Sequence, residues 1–386
     1  MGKTQTRILE TAAFFSNNDT VPGFRKLMDL AMDTQDMLVY REAIELTDWN
    51  EQHKEEQELF IQKCRQLLEK VERIPVTEYD APAPVVVADG IRKNYGRGSF
   101  ALGPVSLTIC KGEVYGLVGE NGNGKTTLLR ILANDLSCNS GNLLYNLRYK
   151  AGDAFDLRTK LVYIPQRTQR WYGSLKDNLK FVLTAYGVPP SENETRVLMM
   201  IARLGLWKYR DLKWNELSSG YKMRFELART LLRKPELLLL DEPLANLDIV
   251  AQQVILEDLR SIANSVNNPI ALILSSQQLY EVEKVSDRVI FLRNGVPVET
   301  ARSGTGVAAE TAELIVEIDC SDPRETLQAA LDSLPLDRLN YNGGVYIAYF
   351  KQGAVFPEVL EVLGRSKCRV IYIRDISSST RRLFMS

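Results

Sequence analysis

Apolar side chains recur in three different rhythms along this chain. From Thr4 to about Ile74 they repeat at spacings of three and four, as at Phe60, Cys64, Leu67 and Val71, which predicts amphipathic helices and an all-α N-terminal domain over residues 1–80. Pro22 and Gly23 punctuate that stretch. Between about Val85 and Ser303 short aliphatic runs (VYGLV, ELLLL, ALIL, RVIFL) alternate with helical patterns. Continuous apolar runs of that length are strands covered on both faces, so residues 85–303 read as an α/β domain with a parallel sheet between helices. The segment VTEYDAPAPV between the two regions, with Pro82 and Pro84, reads as a stiff linker, because proline fixes φ and disfavours helix in the residue before it.

Past Gly304 the rhythm changes again. LIVEID, PRETLQAALDSL, RLNYN, GVYIAYF, AVFPEVLEVLG and VIYIRD follow in the order β-α-β-β-α-β, which predicts a small ferredoxin-like α+β domain over residues 310–386. SSSTRRLFMS at the end reads as a short helix.

Composition narrows the partners more than the fold. With 48 basic and 49 acidic residues among 386, bulk charge gives no reason to expect nucleic acid or an anionic membrane surface as a partner. Five cysteines at 64, 110, 138, 320 and 368 form no CxxC pair, which suggests neither a disulfide framework nor a zinc site and points to a reducing, cytoplasmic compartment. MGKTQTRILE lacks the apolar core of a signal peptide, and no apolar run reaches the roughly 18 to 20 residues that cross a bilayer. A role at a membrane would therefore place the spanning segments in another chain.

The chemistry begins at VYGLVGENGNGKTTLLRIL, where GxxxxGKT sits between a predicted strand and a predicted helix. Gly119, Gly122 and Gly124 let successive backbone N–H groups, that of Asn121 among them, wrap phosphate oxygens, and the helix that follows presents its positive end. Lys125 is placed to reach the β- and γ-phosphates, and the hydroxyl of Thr126, followed by Thr127, is a natural ligand for a Mg²⁺ ion bridging them. Further on, PELLLLDEP ends a buried strand in two acids. Asp241 suits the magnesium or its water shell, and Glu242 suits a general base on an attacking water. ATP and Mg²⁺ are the expected ligands.

In NELSSGYKMRFELARTLLRKPELLLLDEPLANLD, LSSGY precedes a helix that leads into the acidic strand. This order and spacing resemble the ABC-type ATPases, whose signature is usually written LSGGQ; the QRWYGSLKDNLKFVLTAYGV region and the β-α-β-β-α-β tail are similar to those of exporter-type ABC subunits, the tail to the ABC-2 type. The resemblance covers roughly residues 85–303 and implies further roles. Tyr95, in RKNYG, would stack on adenine. Gln166, in LVYIPQR, would approach Mg²⁺ and the lytic water. Ser218, Ser219 and Gly220 would contact the γ-phosphate of nucleotide held by an opposite subunit, and Asp248 in LANLD would be the D-loop aspartate. Ser219 replaces a glycine and Tyr221 a glutamine of the usual signature.

The same resemblance implies a histidine where this chain has Gln277, in ILSSQQL, and its one histidine, His53, lies far upstream. A glutamine amide still donates to phosphate oxygen and accepts from water, but it carries no positive charge. An active, slowed ATPase with Glu242 as base is the expectation. The resemblance further implies a second ATPase subunit, membrane-spanning permease subunits, and a peripheral place on the cytoplasmic face of a membrane. QRWYGSLKDNLKFVLTAYGV offers Trp171 and Tyr172 as permease-facing anchors or, equally, as core of a helical subdomain. A soluble ABC ATPase acting as switch or scaffold, with residues 1–80 as its effector, is the alternative. A small-molecule kinase is disfavoured, since LSSGY and LANLD would have no task in one.

Overall fold

The computed structural model describes residues 2–79, 83–96, 100–149, 153–298 and 314–377, apart from the side chains of Ala154, Tyr280 and Glu281. The chain forms two compact units. The first runs to Val285 and takes up Phe291–Val298; the second holds Ser286–Ile290 and residues 314–377.

Four helices open the first unit: α1 (Lys3–Ser16), α2 (Thr20–Thr34), α3 (Met37–Gln52) and α4 (Gln57–Glu72). The spacing of three and four buries one face of α4, with Phe60, Cys64, Leu67, Leu68 and Val71 inside. Strands β1 (Pro84–Asn94) and β2 (Ala101–Cys110) then lead to β3 (Val114–Val118), α5 (Lys125–Leu132), β4 (Ser140–Tyr145), α6 (Ala154–Lys160) and β5 (Leu161–Ile164). After them come α7 (Leu175–Ala185), α8 (Pro190–Arg203), α9 (Ser219–Leu231), β6 (Leu237–Leu240), α10 (Ile249–Ala263), β7 (Ala271–Ser276), α11 (Leu279–Glu283), β8 (Arg288–Arg293) and β9 (Val296–Val298).

Six strands form the central sheet in the order β5-β6-β7-β3-β8-β9, while β2-β1-β4 make a separate antiparallel sheet. Strands β5, β6, β7 and β3 run parallel. Every residue of β3, β6 and β7 is buried, as expected of strands sandwiched between helices. Their common direction brings the residues after Val118, Leu240 and Ser276 to one edge of the sheet, since Val118 pairs with Ser276 and Leu240 with Leu274. Open α/β sheets bind ligands beyond the carboxyl ends of such strands.

The N-terminal helices belong to the same compact unit as this sheet and are tied to it by buried polar contacts. Asp258 of α10, itself buried, accepts from the Arg25 Nη2 of α2 at 2.7 Å and from Arg224 of α9 at 3.3 Å. Arg203 Nε donates to Asp29 at 2.7 Å, Ser261 donates to the same carboxylate, and Trp207 Nε1 donates to Asp48 at 3.0 Å. Within the predicted linker, the Glu78 carboxylate accepts from Lys3 N and Thr4 N at the start of α1, and Tyr79 N donates to Val266 O. Pro82 lies outside the described residues.

The second unit contains β10 (Ile315–Cys320), α12 (Arg324–Leu331), β11 (Leu336–Asn342), β12 (Val345–Phe350), α13 (Phe356–Arg365) and β13 (Val370–Asp375). Its antiparallel sheet has the order β11-β12-β10-β13, and Val316, Ile318, Ala348 and Phe350 pack against Leu327, Leu331, Val359 and Leu363 of the helices. The helix expected for SSSTRRLFMS falls almost wholly outside the described residues.

Candidate functional site: a cleft at the strand ends

Between β3 and α5 the backbone turns in a way that glycine alone adopts freely. Gly122 and Gly124 have φ of 84° and 95°, and a Cβ on Gly119 would stand 2.5 Å from the Leu292 carbonyl oxygen. Asn123 pins the loop from below, its Oδ1 accepting from Asn294 N at 3.0 Å. Helix α5 begins at Lys125, so its first N–H groups, which have no intrahelical acceptor, open onto the loop. The Lys125 ammonium donates to the carbonyls of Gly119 at 2.6 Å and Glu120 at 3.3 Å, and lies 3.2 Å from Glu242 Oε1.

The acids sit opposite. Asp241 is buried, and both of its oxygens are hydrogen-bonded: Oδ2 accepts from Thr126 Oγ1 at 2.7 Å and Tyr163 OH at 3.1 Å, and Oδ1 accepts from Ser275 Oγ at 2.8 Å. Ser275 Oγ in turn accepts from Glu242 N at 2.9 Å. Glu242 has φ of 50°, a left-handed conformation uncommon for a residue with a side chain, and this N–H bond helps to hold it. Its Oε1 accepts no hydrogen bond, so the contact with Lys125 is ionic without directed alignment. Burial and the neighbouring Asp241 charge push the Tyr163 phenol well above its ordinary pKa, which keeps it a neutral donor.

Tyr95, Phe100, Glu120, Gln166 and Thr127 complete a cleft of about 350 Å³ around Lys125, Thr126 and Glu242. Tyr95 is 43% exposed at the end of β1, its OH 3.4 Å from Thr127 Oγ1 and its ring 6.4 Å from that of Phe100. Asn121, Gly122 and Gly124 line the same cleft, as do the exposed Gln166 and the first turn of α5. The residues fit magnesium: Thr126 Oγ1 and Asp241 Oδ2 converge within 2.7 Å, and this small hard cation takes one or two protein oxygens with phosphates and waters supplying the rest.

None of Ser218, Ser219, Gly220 and Asp248 lines this cleft. They form a second cluster. Ser218 is exposed at the N-cap of α9 and makes no capping bond, Ser219 Oγ donates to Asn246 O at 2.9 Å, and Asp248 caps α10 by accepting from Ala251 N at 2.8 Å. Gly220 packs so closely on α10 that a Cβ would stand 3.2 Å from that of Ala251. Ile249 and Val250, next to Asp248, are 73% and 69% exposed.

Packing decides several points that the sequence leaves open. The four polar residues after the aliphatic run of β7 do different jobs: Ser275 orients the two acids, Ser276 accepts from Gln278 N at 3.0 Å, and Gln277 is exposed just past the strand end. Trp171 is not a surface anchor. It is buried, stacks on Trp214 at 5.1 Å and donates to Glu226 Oε1 at 2.8 Å, whereas Tyr172 is 77% exposed. Tyr221 packs its ring against that of Tyr209, the centroids 3.9 Å apart and the planes tilted by 33°, with their hydroxyls 2.7 Å apart. His53, at the end of α3, stacks on Trp49 at 4.6 Å. Sequence reasoning missed Ser275 and Tyr163; the signals were a serine one residue beyond the apolar run and a tyrosine three residues before Gln166.

A family model described as "ABC transporter" matches residues 102–245. The ABC transporter ATP-binding protein NatA of Bacillus subtilis is 30% identical over 204 residues, covering 50% of this chain and 79% of NatA. The lantibiotic transport ATP-binding protein SrtF of Streptococcus pyogenes is 32% identical over 206 residues, covering 53% of this chain and 85% of SrtF. Other relatives are longer: the chain spans 9% of the mouse glucosylceramide transporter and 58% of the spermidine/putrescine import ATP-binding protein of Mycoplasma mycoides. Among solved structures, cbiO1 of Clostridium perfringens, part of an ABC transporter complex, superimposes with a TM-score of 0.53 at 24% identity over 65% of this chain and 96% of that one, a likeness of fold. With its phosphate loop, paired acids and signature turn in one fold, and with relatives such as NatA and SrtF, the chain belongs to the ABC transporter ATP-binding family.

Proposed function

We propose that this chain binds and hydrolyses ATP with Mg²⁺ and powers a membrane transporter of the export type by closing head to tail on a second ATPase subunit. The observation that carries the reading is the separation of two half-sites: the cleft around Lys125, Thr126, Asp241 and Glu242 contains no signature residue, while Ser218, Ser219, Gly220 and Asp248 cluster elsewhere. Each cluster is incomplete unless a second copy supplies the other. Exposed Ile249 and Val250 beside Asp248 give such a contact an apolar component.

In this reading the glycine loop and the start of α5 bind the phosphates through backbone N–H groups, and Tyr95 stacks on the base. Thr126 and Asp241 would hold Mg²⁺, which would supply charge neutralisation at the bound phosphates. The γ-phosphate oxygens compete for the Lys125 ammonium, which leaves the Glu242 carboxylate to accept a proton from water. Gln166 orients that water, and Gln277 contributes a neutral amide where a cation would stabilise developing charge more strongly, so turnover is slow. Exposed Tyr172 and Phe181, the latter 74% exposed on α7, support a permease-docking face in place of buried Trp171. Residues 1–80 serve as a helical accessory region fixed to α8 and α10, residues 310–386 as a ferredoxin-like domain, and the protein works at the cytoplasmic face of a membrane.

Glu242→Gln is the test. It should abolish turnover and trap an ATP-dependent dimer measurable by light scattering, and the intact protein should co-purify with a polytopic membrane chain. Unchanged turnover in Glu242→Gln would remove the assigned base. A monomer at saturating Mg-ATP would remove the paired half-sites.

A further inference from the structure

Away from the strand-end cleft, a cavity of about 440 Å³ lies where α2 and α3 meet α7, α8, the end of α9 and the end of α6. Its volume is that of a small-ligand pocket. Its charge is one-sided: Lys160, Arg196, Arg203, Arg233 and Lys234 face it, against the single carboxylate of Asp33. Asp33 is already committed, accepting from Arg7 at 3.2 Å and Ser265 Oγ at 2.6 Å. Arg203 and Arg196 have carboxylate partners in Asp29 and Glu192.

Lys160, Arg233 and Lys234 have no ion pair among the described residues. Lys234 Nζ donates only to the neutral Gln35 Oε1 at 2.9 Å. Arg233 donates through Nη2 to Arg158 O at 2.8 Å and lies 5.4 Å from the centre of the Tyr186 ring, while its buried Nε donates to nothing. A buried guanidinium N–H without an acceptor is costly and is normally satisfied. Lys234 is exposed as a residue, yet desolvation of its ammonium and the like charge of Arg196 hold its pKa below the ordinary lysine value. Lys234 and Gln35 also have left-handed φ, 53° and 55°, so backbone strain accompanies the contact that closes the cavity between α2 and α9.

We propose that this cavity is a binding site for a small phosphorylated anion, held by Lys160, Arg233 and Lys234, with the phenol ring of Tyr186 beside it. Arginine and lysine together match phosphate oxygens by directed N–H bonds and by point charge. Because Gln35 and Tyr40 come from the N-terminal helices and the cations from the ATPase, an occupant joins the two and stabilises their contact. The site does not depend on the function assigned to the strand-end cleft.

Pyrophosphate is the probe, titrated calorimetrically into the full chain with Lys125→Ala silencing the glycine loop, and again into the unsubstituted chain saturated with Mg-ADP. One-site binding is expected in both, weakened at least tenfold (about 1.4 kcal/mol) by Lys160→Glu with Lys234→Glu. Both lysines belong to the cavity rim, and circular dichroism verifies that the variants are folded. Binding should also raise the unfolding midpoint, and citrate should bind at least tenfold more weakly. Failure of pyrophosphate to bind, binding abolished by Lys125→Ala or Mg-ADP, equal binding by the charge-reversed variant, or equal binding of citrate each overturns the proposal.

Discussion

Ser275→Ala removes one oxygen and unsettles both acids of the cleft. Ser275 is wholly buried, donates to Asp241 Oδ1 at 2.8 Å and accepts from Glu242 N at 2.9 Å. A methyl group does neither, so a partly buried N–H loses its acceptor and a buried carboxylate loses one of three donors. Each unsatisfied buried group costs about 1–3 kcal/mol. The remaining bonds from Thr126 and Tyr163 limit the loss at Asp241, and the two effects share one network and do not simply add. The expected destabilisation is about 2–4 kcal/mol. At about 2 °C per kcal/mol, a value suited to a large domain, the unfolding midpoint falls by roughly 4–8 °C. Turnover falls too, because Glu242 keeps its φ of 50° partly through the lost bond. Differential scanning calorimetry with and without Mg-ATP, paired with a phosphate-release assay, measures both. A midpoint within about 1 °C of the parent and an unchanged kcat would refute the view that Ser275 organises the acids.

Gln277→His restores a group able to carry charge at the end of β7. Since bonds to charged groups exceed neutral ones by about 1 kcal/mol, turnover should rise several-fold to about tenfold, and an unaltered kcat would deny that position a role. Trp171→Ala should cost about 3–5 kcal/mol in a chemical denaturation, because the ring is buried against Trp214 and Glu226, whereas Tyr172→Ala should leave stability within about 0.5 kcal/mol and weaken only association with a membrane partner. Burial pushes the Glu226 carboxyl above its usual 4.5, opposed by Arg229 and the Trp171 N–H. Between 4.5 and that raised value the native state binds more protons than the unfolded one, so this group's contribution to stability is largest in acid and declines as pH rises through the window. Urea midpoints of Glu226→Gln compared with the parent should lack that decline; parallel pH profiles would contradict it.

Much of this molecule is legible in linear order because its signals are local. The phosphate loop needs glycines at fixed offsets between a buried strand and a helix, and those are covalent neighbours. The aliphatic runs of β3, β6 and β7 declare strands covered on both faces, and the stripe from Phe60 to Val71 declares one face of a helix. The paired acids at the end of β6 and the signature turn ahead of it were readable for the same reason. Other features depend on residues far apart in the chain. Ser275 matters because the register of β7 against β3 and β6 sets it beside Asp241, 34 positions away. Trp171 and Tyr172 are equivalent as letters, and only packing against Trp214 and Glu226 decided which ring is core and which faces solvent. Asp258, shared by Arg25 and Arg224, ties the N-terminal helices to the ATPase although proline-rich sequence separates them. A run of residues encodes propensity and periodicity, whereas partner choice for a buried charge follows from desolvation, which exists only once distant segments have closed around it.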